Sequence, residues 1–502
     1  MKDYVKKHGT TLFTCLSFFF LLFMMVNHIG HSALWYDEWV EYYYSQADIA
    51  NGDLYRNIIS TFQPPLYNLL MHYWLKVNRS ILWFRLFNII PGMISGIALF
   101  DTVRRLTKDQ RMAALSVVLL AVSYQWIYYI QEAAEYALML MFVFLTMHAY
   151  VVAGEKHSFL TTLYLALMSG GAAYSQYGCV FVVAPLLIMH MVRIFRSKDR
   201  KQIRNLLVIY GLSVVLMAAP LYVFYVKIQL GNHQIGGKDT LPVVWSLQDF
   251  LMKLGGLFVY IFVHSEPQES QLFMILGAVI LVLALLAMIM GRREKSVADL
   301  CLCLVIAYVL HYLLVVRHIY AMVHVGMSAG FYCRYSVFWI CLFTVVITLI
   351  LHVLLKRFGR NTAVTALAVI TLVTGIFSVP GIWRNWEKSH DNDIAWTWLE
   401  WKGYEQPTYL YGVAEYSFDY FIRDKGIEAP QVIYNCWEQI DVNKVPSQFW
   451  LWYADYGKDQ AMSFDEMFEE LDRNLVRSGY NSNRVLDYPS MGKLVYYHMG
   501  KQ

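Results

Sequence analysis

The chain has 502 residues, 58% of them hydrophobic and 16% charged, with 41 Lys and Arg against 37 Asp and Glu for a formal net charge of +4. A soluble domain with that balance would expose too much apolar surface to stay dispersed, so the composition excludes a soluble enzyme and indicates a polytopic membrane protein. The cations fall in a few clusters and no basic domain is present, which argues for an effect on orientation and against nucleic acid as a partner.

The first apolar run, Thr11 to His28, follows Lys2, Lys6 and Lys7. No small-residue cleavage pattern comes after it, so it is expected to be a retained first helix and not a signal peptide. Eleven spans are predicted, at 11–29, 82–103, 111–130, 136–153, 158–174, 178–195, 205–226, 272–290, 298–316, 335–355 and 363–380. Basic clusters lie at alternate ends of these runs, for example Arg104, Arg105, Lys108 and Arg111, or Arg292, Arg293 and Lys295. The positive-inside rule places them, with the N-terminus, in the cytoplasm, and an odd span count then puts the C-terminal region outside a multi-pass cell membrane protein. The expected division is a transmembrane catalytic domain over 1–382, with a long outer loop at 30–81, and a small soluble extracytoplasmic α/β domain over 383–502.

The outer loop opens with Leu34-Trp35-Tyr36-Asp37-Glu38-Trp39-Val40-Glu41, a carboxylate cluster among aromatics where the chain leaves the bilayer. Charge at that depth is costly without a task, which favours a membrane-surface active site. The competing reading is an interfacial amphipathic helix with Trp35, Trp39 and Tyr43 towards headgroups and the acids towards water. Later in the loop Gln63-Pro64-Pro65-Leu66-Tyr67 forms a break, after which Tyr67 to Val77 reads as a surface helix. Glu132 and Glu135, between the third and fourth spans, are expected on one helical face, either as binding groups or as the solvated tip of a hairpin.

Beyond residue 383 the long apolar runs cease. Strands are expected at Thr408–Val413, Gln431–Tyr434, Gln448–Tyr453 and Lys493–His498, and helices at Ser417–Lys425 and Phe464–Ser478. The last helix carries a capping box of Ser463 with Glu466 and a Gly479 stop. The seven cysteines lie mostly in apolar runs, with Cys333 at the edge of one and Cys436 alone in the polar region, and form neither a disulfide framework nor a CxxC metal site.

Taken together, Asp37-Glu38 after the first span, Pro64-Pro65-Leu66-Tyr67, Tyr128-Tyr129-Ile130-Gln131-Glu132-Ala133 with Tyr136-Ala137-Leu138, and Arg334-Tyr335 before the tenth span resemble the GT-C glycosyltransferases of the family 39 type. That family includes protein O-mannosyltransferases and lipid A aminoarabinose transferases. The resemblance covers about residues 30–355. It implies a multi-spanning GT-C fold, a polyprenyl-phosphate sugar as donor, an outward-facing site and a C-terminal soluble domain. The chain departs from the pattern at Gln63 and Gln176, where relatives often carry His, and at Ala134, where they carry Arg, while Glu135 adds an acid; these changes bear on the donor and on any His-based metal site.

Transfer from a lipid phosphate to an acceptor hydroxyl on a glycan, lipid or protein needs a base, a phosphate site and a lipid groove. Asp37 is the base candidate and Glu38 its support. Glu132, Tyr136, Gln63, Tyr67 and Gln176 are candidates for holding substrate. Arg334, with its planar fork beside the Tyr335 hydroxyl, is favoured for the phosphate, and Arg56 is the alternative. No cofactor and no metal site are predicted, although a divalent cation could sit near Asp37, Glu38 and Glu41. The remaining alternatives are a transporter or flippase for a lipid-linked substrate, which should show an internal repeat, and an oligosaccharide polymerase or ligase using a diphosphate-linked donor.

Overall fold

A computed structural model describes residues 2–27, 29–30, 33–61, 63–232, 245–263, 270–317, 319–320, 334–384, 390–423, 426–428, 431–434, 440–454, 461–488 and 492–500. Cys333, Lys238 and Cys436 lie outside them. The described residues form two compact units, one of residues 1–27 and 44–383, the other of residues 28–43 and 384–502.

In the first unit, nine described helices are long and apolar enough to cross a bilayer: Gly9–Val26, Ile81–Thr107, Tyr136–Glu155, Tyr177–Ser197, Arg200–Gly231, Gln271–Met290, Lys295–Val316, Trp339–Phe358 and Asn361–Ile382. Each coincides with an expected span. The expected span at 158–174 is the helix Phe159–Ser175, whose 17 residues reach about 25 Å, the short end of what the hydrocarbon layer requires. The span expected at 111–130 is not continuous. It breaks into Gln110–Ala121 and Tyr124–Ile130, bent by 66°. The break is satisfied locally, because the Val122 carbonyl accepts from the Ser378 hydroxyl and the Ser123 hydroxyl donates to the Leu119 carbonyl at 2.7 Å. Free backbone groups at membrane depth persist only when protected in this way.

The connection between the expected spans 205–226 and 272–290, where no element is expected, contains the helix Leu247–Phe262. It crosses Gln271–Met290 with backbone almost touching backbone: a Cβ on Gly255 would lie 2.0 Å from the Phe273 carbonyl oxygen, and one on Gly277 1.9 Å from that of Leu251. Small residues at such a crossing supply the close packing that drives helix association in lipid.

The second unit contains a five-stranded sheet, ordered β2-β1-β3-β5-β4, from β1 (Thr408–Gly412), β2 (Val432–Tyr434), β3 (Gln448–Ala454), β4 (Tyr480–Tyr488) and β5 (Gly492–Met499). β1 pairs in parallel with β2 and β3; β3–β5 and β5–β4 are antiparallel. The alternation of side chains gives the sheet two buried faces. Tyr409, Tyr411, Phe449, Leu451 and Tyr453 share one core with Phe468, Leu471 and Leu475 of the helix Ala461–Arg477. On the other face the Trp452 ring meets Phe418, which meets Trp398. The four expected strands are all present, and β4 is an additional edge strand. Ala461–Arg477 starts ahead of Ser463, which therefore lies inside the first turn and not at the cap; Gly479, at φ 94°, does follow the helix end. The helix expected at Ser417–Lys425 lies earlier, as Ala414–Phe418 continuing into a π turn at Asp419–Arg423.

Candidate active site

The carboxylate cluster forms the helix Tyr36–Ser45, with Asp37 and Glu38 in its first turn, where the helix dipole favours negative charge. Glu38 reaches back so that its Oε2 accepts from the Trp35 backbone N–H at 3.3 Å, which caps the helix start. Glu38 and Glu41 are buried, while Asp37 is half-buried. The amphipathic-helix alternative does not hold. Trp39 is 1% exposed and packs on Tyr420 and Phe421 of the same unit, with ring centroids 5.3 and 6.3 Å away. The Tyr43 hydroxyl donates to the Tyr416 carbonyl at 3.1 Å. The aromatic side of this helix is thus committed to protein, and only Asp37 among its three acids remains partly accessible.

In the first unit, residues 131–135 are a non-helical turn between Tyr124–Ile130 and Tyr136–Glu155, so Glu132 and Glu135 do not share a helical face. The reason is visible in the partners. The Gln131 side-chain amide donates to the Met24 and Asn27 carbonyls at 3.1 and 2.9 Å, closing the end of the first span. The Asn88 amide donates to the Glu132 carbonyl. Glu132, Glu135, Arg85 and Tyr136 are all buried, and the Tyr136 ring lies 4.7 Å from that of Tyr129.

Gln63, Tyr67 and Gln176 are linked through a residue that sequence reasoning passed over. Gln229, fully buried in the last turn of Arg200–Gly231, donates from Nε2 to the Ile58 carbonyl at 3.0 Å and the Gln63 carbonyl at 2.7 Å. Its Oε1 accepts from the Tyr177 hydroxyl at 2.6 Å. The Pro64-Pro65 turn is therefore tied to the 176–177 turn, and Pro65 leads directly into the helix Leu66–Leu75, in which Tyr67 is buried with its ring against Phe87. The helix is fixed in turn by His72, whose Nδ1 lies 2.9 Å from the Ser45 carbonyl.

Arg334 and Tyr335 lie in a 3-10 turn, Arg334–Ser336, ahead of Trp339–Leu355. The Arg334 guanidinium stands over the Tyr335 ring, 5.0 Å from its centroid, and donates to the Tyr335 hydroxyl at 3.1 Å. The Tyr320 ring lies 6.2 Å from that of Tyr335. Burial pushes the Tyr320 phenol up, with Tyr335, Cys179 and Glu135 adding to it, which places the 131–135 turn in the same electrostatic neighbourhood. A Cβ on Gly178 would meet the Tyr320 hydroxyl at 2.3 Å and the Gln176 Oε1 at 2.9 Å, so only glycine lets these two polar groups approach. Gln176, Tyr320, Tyr335, Arg334 and Glu135 thus form one neighbourhood. Arg56 is placed differently: 62% of its side chain is exposed and it is ion-paired with Asp53. Among the described residues no group of three or more His, Cys, Asp or Glu is arranged to hold a metal ion.

Residues 62–224 match the family model described as dolichyl-phosphate-mannose-protein mannosyltransferase. The resemblance holds over that stretch. It contains Gln63, Tyr67, Glu132, Tyr136 and Gln176, whereas Asp37, Glu38 and Arg56 precede it and Arg334 follows it. The chain is also similar to two solved structures of ArnT from Cupriavidus metallidurans. The apo structure has 13% identity over 98% of both chains at a TM-score of 0.49. The structure bound to undecaprenyl phosphate has 12% identity over 97% of this chain and 98% of that one at a TM-score of 0.48. No curated protein matches the chain.

Proposed function

We propose that the chain is an integral-membrane glycosyltransferase that moves a sugar from a polyprenyl-phosphate donor to an acceptor hydroxyl on the outer face of the cytoplasmic membrane. The match of residues 62–224 to a family described by a lipid monophosphate-linked sugar supports this reading most directly. The acceptor oxygen attacks the anomeric carbon, the bond from that carbon to the phosphate oxygen breaks, and the acceptor proton passes to a carboxylate. Asp37 fits the base role because it is the accessible acid of its helix, whereas Glu38 is engaged at the cap. Glu132, Tyr136, Gln63, Tyr67 and Gln176 are assigned to the donor sugar and its approach. Arg334, with Tyr335 beside it, is assigned to the leaving phosphate, where a fixed cation in a low-dielectric setting acts more strongly than in water. Arg56, exposed and paired, is the weaker candidate. No step is routed through a metal ion.

The test is direct. Purified protein in lipid nanodiscs should consume a polyprenyl-monophosphate sugar and release the polyprenyl phosphate. Consumption of a diphosphate-linked donor instead, or transport of the intact lipid without cleavage, would overturn the assignment.

A further inference from the structure

The second face of the sheet is covered at one end only. There the helix Asp391–Glu400 buries Ile394, Ala395 and Trp398, and a Cβ on Gly492 would meet Ile394 Cδ1 at 2.8 Å. At the other end of β3, β5 and β4 the face is open. Because Phe449, Val495, Tyr497 and Tyr480 point into the first core, the intervening residues Gln448, Trp450, Tyr496, His498, Asn481 and Asn483 share the second face.

The register sets these six in two rows, Gln448–His498–Asn481 and Trp450–Tyr496–Asn483. Gln448, Asn481 and Asn483 are exposed, and Tyr496 and His498 half-buried. Trp450, 3% exposed, is the floor. Its ring lies 4.9 Å from that of Tyr496 and 6.3 Å from that of Trp401, which meets it edge-on at 81°. Trp401 follows the covering helix directly and is 53% exposed, and the His498 ring lies 5.9 Å from Tyr496. The open rings are thus held by ring packing beneath them. Among the described residues, none accepts from or donates to the side-chain amides of Gln448, Asn481 and Asn483.

The chemistry and size of this patch select its occupant. Fixed aromatic faces suit the C–H faces of sugar rings, and each carboxamide offers a donor and an acceptor to a hydroxyl pair. The rows lie about 7 Å apart and the outer strands about 10 Å, an area on the order of 100 Å². A second protein copy would need about 800 Å² on each side, whereas one or two pyranose rings fit. We propose that this face of the second unit binds a glycan, with sugar rings on Trp401 and Tyr496 and hydroxyls on the Gln448, Asn481 and Asn483 amides. The inference rests on the sheet register and the ring packing and does not depend on the transferase reading.

The full-length protein in lipid nanodiscs, free of sugar-headed detergent, would be studied by saturation-transfer difference NMR with chitotriose, cellotriose and maltotriose as probes. Wild type should transfer saturation to at least one of them, most strongly to the carbon-bound protons of a ring face. Trp401→Ala should raise the Kd by about tenfold or more, and Asn483→Ala, an exposed edge-strand substitution, by about threefold, with melting of both variants as in wild type. Saturation of none of the three, or the same Kd in both variants as in wild type, would overturn the proposal. A wild-type particle mass twice that of Trp401→Ala would assign the face to a second copy of the chain and refute the glycan.

Discussion

Gln229→Leu tests whether the Pro64-Pro65 turn is held by the amide seen beneath it. Leucine fills nearly the same volume but makes none of the three hydrogen bonds, which leaves the Ile58 and Gln63 carbonyls and the Tyr177 hydroxyl without that partner. The Ile58 carbonyl keeps the Thr61 hydroxyl at 2.9 Å and the Thr61 N–H at 3.3 Å, so the cost falls on the Gln63 carbonyl and the Tyr177 hydroxyl. A buried polar group left unmatched costs about 1–3 kcal/mol; taking the lower bound for these two, because both retain some access to water, gives about 2 kcal/mol. That energy falls on the local opening around the Pro64-Pro65 turn, not on the spans, and corresponds to roughly thirtyfold faster amide exchange. Hydrogen exchange read by mass spectrometry on peptides covering 54–66 measures it, with the helix Tyr136–Glu155 as an internal control. Exchange in 54–66 that stays within about threefold of wild type would show that Gln229 is not what orders the turn. A control helix that accelerates equally would point to global loosening instead.

For the proposed base, Asp37→Asn should lower transfer by about 10²–10⁴-fold with normal membrane insertion; if it retains turnover while Glu38→Gln loses it, the two roles are exchanged. Arg334→Ala should reduce turnover by about 10²-fold, and Arg334→Lys should recover only part, because a point charge cannot reproduce a bidentate fork; wild-type kinetics in the Ala variant would remove Arg334 from the phosphate site. Glu132→Gln keeps size and hydrogen-bonding capacity, so donor KM should rise by roughly tenfold while thermal stability holds; an unchanged KM would exclude Glu132 from donor binding. In the second unit, burial alone would push the Asp472 carboxyl up, but bonds from Arg484 at 2.6 Å and Tyr497 at 2.7 Å hold it below the usual carboxylate range. A depressed acid stabilises the fold fully above its unfolded value of 3.8 and loses that contribution as pH falls through the folded value. Melting of the unit in wild type should therefore fall steeply below about pH 4, and Asp472→Asn should be less stable by about 2 kcal/mol at neutral pH with a flatter acid limb; parallel pH curves for the two proteins would refute the linkage.

What could be read from the sequence follows the strength of each local signal. A run of 18 apolar residues has few alternatives in a bilayer, so the long spans were predictable; the bend at Val122-Ser123 was not, because it depends on Ser378, 256 residues away in the chain. Leu247–Phe262 was missed because a 16-residue apolar helix inside a connection resembles neither a full span nor a loop. β4 escaped because Tyr480–Tyr488 is an edge strand whose polar residues fall on both faces, leaving no period of two to detect. Asp37 and Glu38 were visible as a motif. That residues 28–43 cluster with the C-terminal unit was not, since the contacts of Trp39 and Tyr43 with Tyr416, Tyr420 and Phe421 join segments more than 370 residues apart. Gln229 gave no signal beyond being an amide in the last turn of an apolar helix.

The polar groups of the first unit sort by the end of the helices on which they lie, and the two ends follow different rules. At the end formed by Asp101, Arg104, Arg105, Asp109, Arg111 and Glu155, carboxylates and guanidinium groups neutralise one another in pairs that remain partly open to solvent. Such pairs contribute little stability but anchor helix ends at a charged interface. At the other end the groups are buried carboxylates, amides and phenols, with the buried Arg85 among them: Glu132 and Glu135 are 0% and 2% exposed, Gln131 and Gln176 9% and 8%, Gln229 0%. Amides and phenols offer directional hydrogen bonds without the desolvation cost of an ion, and an acid is retained among them only where its charge or proton is used. Such a lining suits the hydroxyls of the proposed donor sugar, with Arg334 as the proposed partner of its phosphate.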